Sequence, residues 1–200
     1  TILRRGAEWF AGFGRPNNTG TKLFGISGHV NNPCVVEEAM SISFEELIET
    51  HCGGIKGGWD NLKAVIPGGS SVPCVRGENM RDAIMDFDYL RNDLKSGLGT
   101  AAVIVMDKDT DIIKAIWRLA KFYKHESCGK CTPCREGTWW LVQVLKDLEA
   151  GKGTEADLDK LLDLCDNIMG RSFCALADGA ASPIISSLKY FRQEYLDHLS

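Results

Sequence analysis

The longest unbroken apolar run in this 200-residue sequence is Ala101-Ala102-Val103-Ile104-Val105-Met106, far short of the roughly 20 residues that a helix needs to cross a bilayer. Contact with a membrane is therefore expected only through a partner. Positive charge is not in excess either: 23 Lys and Arg stand against 27 Asp and Glu, a formal net charge of −4. That balance argues against a general nucleic-acid binder, whose first sign is a basic face. The chain opens Thr1-Ile2-Leu3-Arg4-Arg5 without an initiator Met or the pattern of a signal peptide, and is read as a piece of a longer protein. A phosphate-binding Walker loop is lacking too. In Gly14-Arg15-Pro16-Asn17-Asn18-Thr19-Gly20-Thr21-Lys22 the Thr precedes the Lys and no helix follows, so the stretch reads as a turn between two apolar strands. No catalytic triad, paired carboxylates or redox Cys-x-x-Cys in a strand–helix–strand setting is present.

What the sequence does have is an ordinary globular composition, 44% hydrophobic and 25% charged, enough to build real cores. Residues 28–77 read as a small mixed domain. Cys34-Val35-Val36-Glu37 is strand-like, and Ser43 with Glu46 forms a capping box that opens a helix with Phe44, Leu47 and Ile48 on its apolar face. Gly53-Gly54 ends that helix. Leu62 to Ile66 is a further strand, cut by Pro67-Gly68-Gly69-Ser70-Ser71, which reads as a plain turn. This order suggests a β-grasp-like module, with the strand pairing left open. Residues 78–99, of mixed charge and ending Gly97-Leu98-Gly99, read as a connector, Ala101 to Met106 as a buried strand, and Asp107-Lys108-Asp109 as a turn.

The period then changes from 2 to 3.6. One helical stripe holds Ile112, Ile116, Leu119 and Tyr123; a second begins at Trp139, Val142 and Leu145 or Lys146; a third holds Leu158, Leu161, Leu162, Cys165 and Ile168. Gly151 and Gly170 sit where two helices should stop. Ser182-Pro183 reads as an N-cap and first helical residue opening a fourth helix with Ile185, Leu188 and Tyr195. The segment from about 110 to 200 is thus expected to be a four-helix bundle.

Eight cysteines are present. A chain of this size does not need disulfide staples, and the clustering of Cys128, Cys131 and Cys134 favours a cofactor in a reducing compartment. Gly129 permits tight wrapping and Pro133 sits just before the third thiol. Zinc sites ordinarily use two Cys-x-x-Cys pairs or histidines, whereas three evenly spaced cysteines plus a distant fourth are the habit of 4Fe–4S clusters. Cys174 is the best candidate for the fourth ligand, because up-down-up-down topology brings its loop to the same end of the bundle; Cys52 and Cys165 stand behind it. His125 reads as a hydrogen-bond donor to a ligand or a solvated side chain rather than a ligand. Lys130 and Arg135 would favour the reduced cluster. Cys34, Cys52, Cys74 and Cys165 read as isolated small hydrophobes.

These residues resemble a known family. Glu126-Ser127-Cys128-Gly129-x-Cys131-x-Pro133-Cys134-Arg135-Glu136-Gly137, with Phe173-Cys174-Ala175-Leu176-Ala177-Asp178-Gly179-Ala180 downstream, is similar to the NADH-binding, FMN-carrying flavoprotein subunit of respiratory NADH:quinone oxidoreductase, complex I. Trp9 to Gly14, Gly57 to Leu62, Pro67 to Ser71 and Gly97 to Ala101 extend the resemblance over nearly the whole chain. It implies an α+β architecture: the end of a Rossmann-like flavin domain at 1–27, a β-grasp (ubiquitin-like) domain with its connector at 28–106, and a helical 4Fe–4S domain at 107–200. It implies Cys128, Cys131, Cys134 and Cys174 as cluster ligands, and electron transfer from FMN, reduced by NADH. Ala175 and Leu176 are placed near the flavin. Implied partners are a 2Fe–2S thioredoxin-like subunit and a large iron–sulfur subunit, at the bacterial cytoplasmic or mitochondrial matrix face of the inner membrane. The family's glycine-rich FMN and NADH loop lies upstream of Thr1, so the segment alone is not expected to oxidise NADH. Ser182 stands where many relatives have Trp. Diaphorase subunits of NAD-reducing hydrogenases and NAD-dependent formate dehydrogenases are the nearest alternative, and a zinc-stabilised interaction domain is the alternative of another class.

Overall fold

In chain order the elements are α1 (Ile2–Arg5), α2 (Ala7–Ala11), β1 (Gly14–Arg15), β2 (Asn18–Thr19), β3 (Thr21–Gly28), β4 (Cys34–Ala39), α3 (Phe44–Cys52), β5 (Leu62–Ile66), β6 (Val75–Arg76), α4 (Phe87–Asn92), β7 (Ala102–Asp107), α5 (Ile112–Glu126), α6 (Thr132–Glu149), α7 (Glu155–Ile168) and α8 (Leu176–Leu199). The structure, a computed structural model, describes residues 1–199. The chain divides into two units, Thr1–Asp109 and the residues from Thr110 onward. Among the described residues, no helix is long and apolar enough to cross a membrane.

The first unit is built on a mixed five-stranded sheet in the order β4-β3-β7-β5-β6. Only β3 and β7 run parallel, with Gly25 opposite Ala102 and Gly28 opposite Val105; the other pairs are antiparallel. Along β3 the alternation of the strand turns Phe24 and Ile26 inward and leaves Leu23 exposed. They meet Phe44, Leu47 and Ile48 of α3 in one apolar core. Ser43 caps α3 as expected, its hydroxyl accepting from Glu46 N–H at 3.1 Å, and Gly53 closes it with a left-handed φ of 66°.

Three expectations change here. The pairing of β3 with β4 and β7 draws Thr21–Gly28 into this sheet, where a division at residue 27 was expected. Residues 78–99 are not a loose connector: Met80, Ala83, Met85, Leu90 and Leu98 are all buried in the same core. Asp86 caps α4 within this stretch, accepting from Tyr89 N–H at 2.7 Å. Burial of five apolar side chains outweighs the locally polar sequence around them, since each contributes roughly 1–3 kcal/mol. The Pro67-Gly68-Gly69 turn also does more than reverse the chain. Thr100 N–H donates to Gly68 O at 3.0 Å, and a Cβ built on Gly68 would stand 2.2 Å from Gly97 O. Only glycine allows the two backbones this approach.

In the second unit α5, α6, α7 and α8 pack on one another. Ile112, Ile116 and Tyr123 of α5 are buried as their spacing suggests, together with Ala120, while Leu119 is only half-buried. On α6 the inward stripe is Cys134, Thr138, Leu141, Leu145 and Leu148, whereas Trp139 faces outward, 45% exposed. Gly137 lets α6 approach α7, because a Cβ there would stand 2.3 Å from Ile168 Cγ2. The fourth helix begins earlier than expected. Ser182-Pro183 does not open it but lies inside α8, with Ser182 Oγ donating to Asp178 O at 2.9 Å. Pro183 removes one helical N–H, yet it and its flanks Ala180, Ala181 and Ile184 are buried, so packing holds the helix through the proline. The regular turns break instead at Phe191, where φ is −130° and ψ 24°.

Candidate metal centre

Two loops of the second unit carry the cysteines. In the first, α5 ends at Glu126, and Ser127 caps it by donating its N–H to Tyr123 O at 3.0 Å. Gly129 turns the chain with φ 76°, a left-handed conformation that favours glycine, and Arg135 Nη1 fastens the turn by donating to Gly129 O at 2.7 Å. Cys131 then stands at the N-cap of α6, with Pro133 in the first turn, where a missing N–H costs nothing. Cys134 falls in that same turn and is 6% exposed. Thr138 Oγ1 donates to Cys134 O at 2.7 Å.

In the second loop, α7 ends at Ile168 and Gly170 follows with φ 67°. Gly170 N–H donates to Asp178 Oδ1 at 2.8 Å, tying the loop to the first turn of α8. Because α8 begins at Leu176, Cys174 sits in a short connection directly before it. The two loops meet: Phe173 N–H donates to Cys131 Sγ at 3.5 Å. Ser127 Oγ lies 3.2 Å from Cys134 Sγ.

All four thiols are free, Cys128 and Cys174 exposed, Cys131 half-buried and Cys134 buried. Among the described residues, no three His, Cys, Asp or Glu side chains are set closely enough to hold one metal ion. A 4Fe–4S cubane takes its four thiolates at separate corners. The surroundings fit the same group. A backbone N–H and a hydroxyl already address sulfur atoms, and the buried Ser172 Oγ, two residues before Cys174, has no hydrogen-bond partner, an uncommon state for a buried hydroxyl. The N-termini of α6 and α8 both open at these loops, and the positive ends of their dipoles favour negative charge there.

The remaining candidates fall out differently. The His125 side chain is 85% exposed and 4.0 Å from Glu126 Oε1, a solvated group. Arg135 Nε pairs with Glu136 Oε1 at 2.8 Å, so much of its charge is balanced locally and its clearer role is to hold the Gly129 turn. Lys130 is exposed. Ala175 is exposed and Leu176 half-buried, at the junction between Cys174 and α8. Ser127 and Phe173 were not singled out from the sequence; a serine two residues before the glycine of a turn is the local signal that could have shown the first.

Cys34 and Cys52 are not isolated: their sulfurs lie 3.7 Å apart. Cys52, Cys74 and Cys165 are buried. Burial, and then Asp166, pushes the Cys165 thiol from 9.0 up to about 12; burial, and then the Cys34 thiol, does the same to Cys52. Below pH 9 both stay protonated whether or not the chain is folded. Between about pH 9 and 12 the unfolded chain loses protons that the folded chain retains, so stability should fall. Denaturant midpoints measured across that range should decline, and decline less in Cys165→Ala after correction for its lower starting stability.

The sequence pattern described as the NADH-ubiquinone oxidoreductase-F iron-sulfur binding region matches residues 114–198, and that of the SLBB domain matches residues 22–112. The second unit therefore marks the chain as an iron–sulfur protein. The chain is 66% identical over 97% of its length to an NADH-quinone oxidoreductase subunit of Rhizobium meliloti (strain 1021). It is 59% identical over 100% of its length to the mitochondrial NADH dehydrogenase (ubiquinone) flavoprotein 1 of Dictyostelium discoideum. It belongs to the family of the NADH-quinone oxidoreductase 51 kDa subunit. The chain spans less than half the length of these curated relatives, 44% and 41% respectively. Among solved structures, an NAD+-reducing NiFe hydrogenase in the air-oxidized state superposes with a TM-score of 0.87 at 26% identity, covering 100% of this chain and 33% of that one.

Proposed function

We propose that Cys128, Cys131, Cys134 and Cys174 hold one 4Fe–4S cluster within a subunit that oxidises NADH through FMN. The observation that carries this reading is the Phe173 N–H to Cys131 Sγ hydrogen bond, which brings the loop of Cys174 to the cysteine triplet. Bound there, a 4Fe–4S cluster supplies one-electron transfer. The chain's own residues do the rest. The thiolates bind; Arg135 fixes the turn between the first two of them; and the first turns of α6 and α8 balance negative charge. Ala175 and Leu176, next to Cys174, would face the flavin side.

The architecture this reading carries is a β-grasp domain that takes in the β3 strand and runs to residue 106, a helical cluster domain from residue 107 onward in the form of a four-helix bundle, and, before β3, the end of a Rossmann-like flavin domain. The assembled enzyme would place a 2Fe–2S thioredoxin-like subunit and a large iron–sulfur subunit beside this one, peripheral to the inner membrane on the bacterial cytoplasmic or mitochondrial matrix side. The hydrogenase likeness supports the diaphorase alternative, but the main reading is favoured by 66% identity to a quinone oxidoreductase protein against 26% to the hydrogenase. Anaerobic iron and sulfide analysis, with EPR of the reduced protein, tests it. About four irons and four sulfides per chain are expected, and a colourless protein with one bound zinc would overturn it.

A further inference from the structure

We infer that Ser127 is a positioning residue that sets the cluster's reduction potential by donating its hydroxyl to the sulfur of Cys134. This rests on the ligand set proposed above. Ser127 Oγ and Cys134 Sγ lie 3.2 Å apart, and the geometry alone leaves open which atom donates. Two facts decide it. Ser127 Oγ already accepts from Gly129 N–H at 3.3 Å, so its own proton is free to point elsewhere. A cysteine that ligates a metal is a thiolate with no proton to give. The bond therefore runs from Ser127 O–H to Cys134 Sγ.

Its setting is rigid. Ser127 N–H is held by Tyr123 O at the end of α5, and Cys134 lies in the first turn of α6 with its carbonyl held by Thr138 Oγ1. The hydroxyl thus spans the gap between two packed helices rather than lying on a loose loop. Burial of Cys134, at 6% exposed, keeps water from replacing it. A reducing electron places more negative charge on the sulfur ligands, and a hydrogen bond strengthens as its acceptor gains charge. Ser127 must therefore stabilise the reduced state more than the oxidised one, which raises the potential.

A purely structural role is the competing explanation, since the Gly129 N–H to Ser127 Oγ bond also closes the turn. Potentiometry followed by low-temperature EPR on the assembled enzyme separates the two, using the signal that Cys174→Ala abolishes to identify this cluster. In Ser127→Ala the ratio of reduced to oxidised cluster at a fixed ambient potential should fall by about three- to tenfold, where tenfold corresponds to about 59 mV for one electron. Ser127→Thr, which keeps the hydroxyl, should stay close to the unsubstituted enzyme. A full cluster signal at unchanged potential in Ser127→Ala would overturn the inference while leaving the ligand assignment standing. So would loss of the cluster in Ser127→Ala with its retention in Ser127→Thr, which would make the serine a residue of folding. Absence of any iron–sulfur signal in the unsubstituted enzyme would instead remove the ligand assignment itself, and this inference with it.

Discussion

Cys174→Ala is expected to abolish the four-iron EPR signal, leaving either no cluster or a three-iron remnant, with iron falling to about three per chain or fewer. The reason is positional. Cys174 lies between the Phe173 amide, which reaches Cys131 Sγ at 3.5 Å, and the first turn of α8. Its loop is pinned at the other side by Gly170 N–H on Asp178 Oδ1. No substitute is at hand in the same unit: Cys165 is wholly buried within the inward stripe of α7, and His125 is solvated. The first unit should stay folded, because α3 and the five-stranded sheet draw their core from residues 24–105 alone. A full reduced-cluster signal in Cys174→Ala would place the fourth ligand elsewhere.

Asp86→Ala should destabilise the first unit by about 2–4 kcal/mol, read as a shift in denaturant midpoint. Asp86 is completely buried and its carboxylate is used three times. Oδ1 accepts from Tyr89 N–H as the cap of α4 at 2.7 Å, while Oδ2 accepts from Ser41 Oγ at 3.0 Å and meets Arg15 Nη2 at 3.3 Å. The Arg15 side chain is 50% exposed, so its ion pair contributes little by itself. Most of the loss comes from the cap and from stranding the Ser41 hydroxyl. Asn18, 2% exposed, braces the same junction by accepting from Phe87 N–H and donating to Asp88. Asp86→Asn keeps the capping oxygen and should lose roughly half as much. Equal losses in the two variants would show that charge, not the cap, governs the site.

Where the sequence was legible, the signal was local. Ser43, Gly53, Gly151 and Gly170 each control a turn through their own backbone or side chain, and all four stand at helix ends in the structure. The stripe on α7 was equally plain: Leu158, Leu161, Cys165 and Ile168 are inward, with Leu162 half-buried beside them. Where it misled, a local signal lost to packing. Ser182-Pro183 has the form of a helix start, but buried Ala177, Gly179, Ala180 and Ala181 carry α8 through it. Trp139 fell on the expected stripe by its spacing, yet Thr138 and Leu141 take the inward positions and Trp139 is left exposed.

The sequence by itself determined that Cys128, Cys131 and Cys134 share one short loop and helix start, because a spacing of three residues around Gly129 and Pro133 is a property of a few adjacent bonds. It also determined the number of helices after residue 110. Only the tertiary structure decided that β3 pairs in parallel with β7, some 77 residues on, that residues 78–99 close the core, and that the loop of Cys174 reaches Cys131. Those outcomes depend on which distant surfaces exclude water from one another, and no short stretch of chain holds that information.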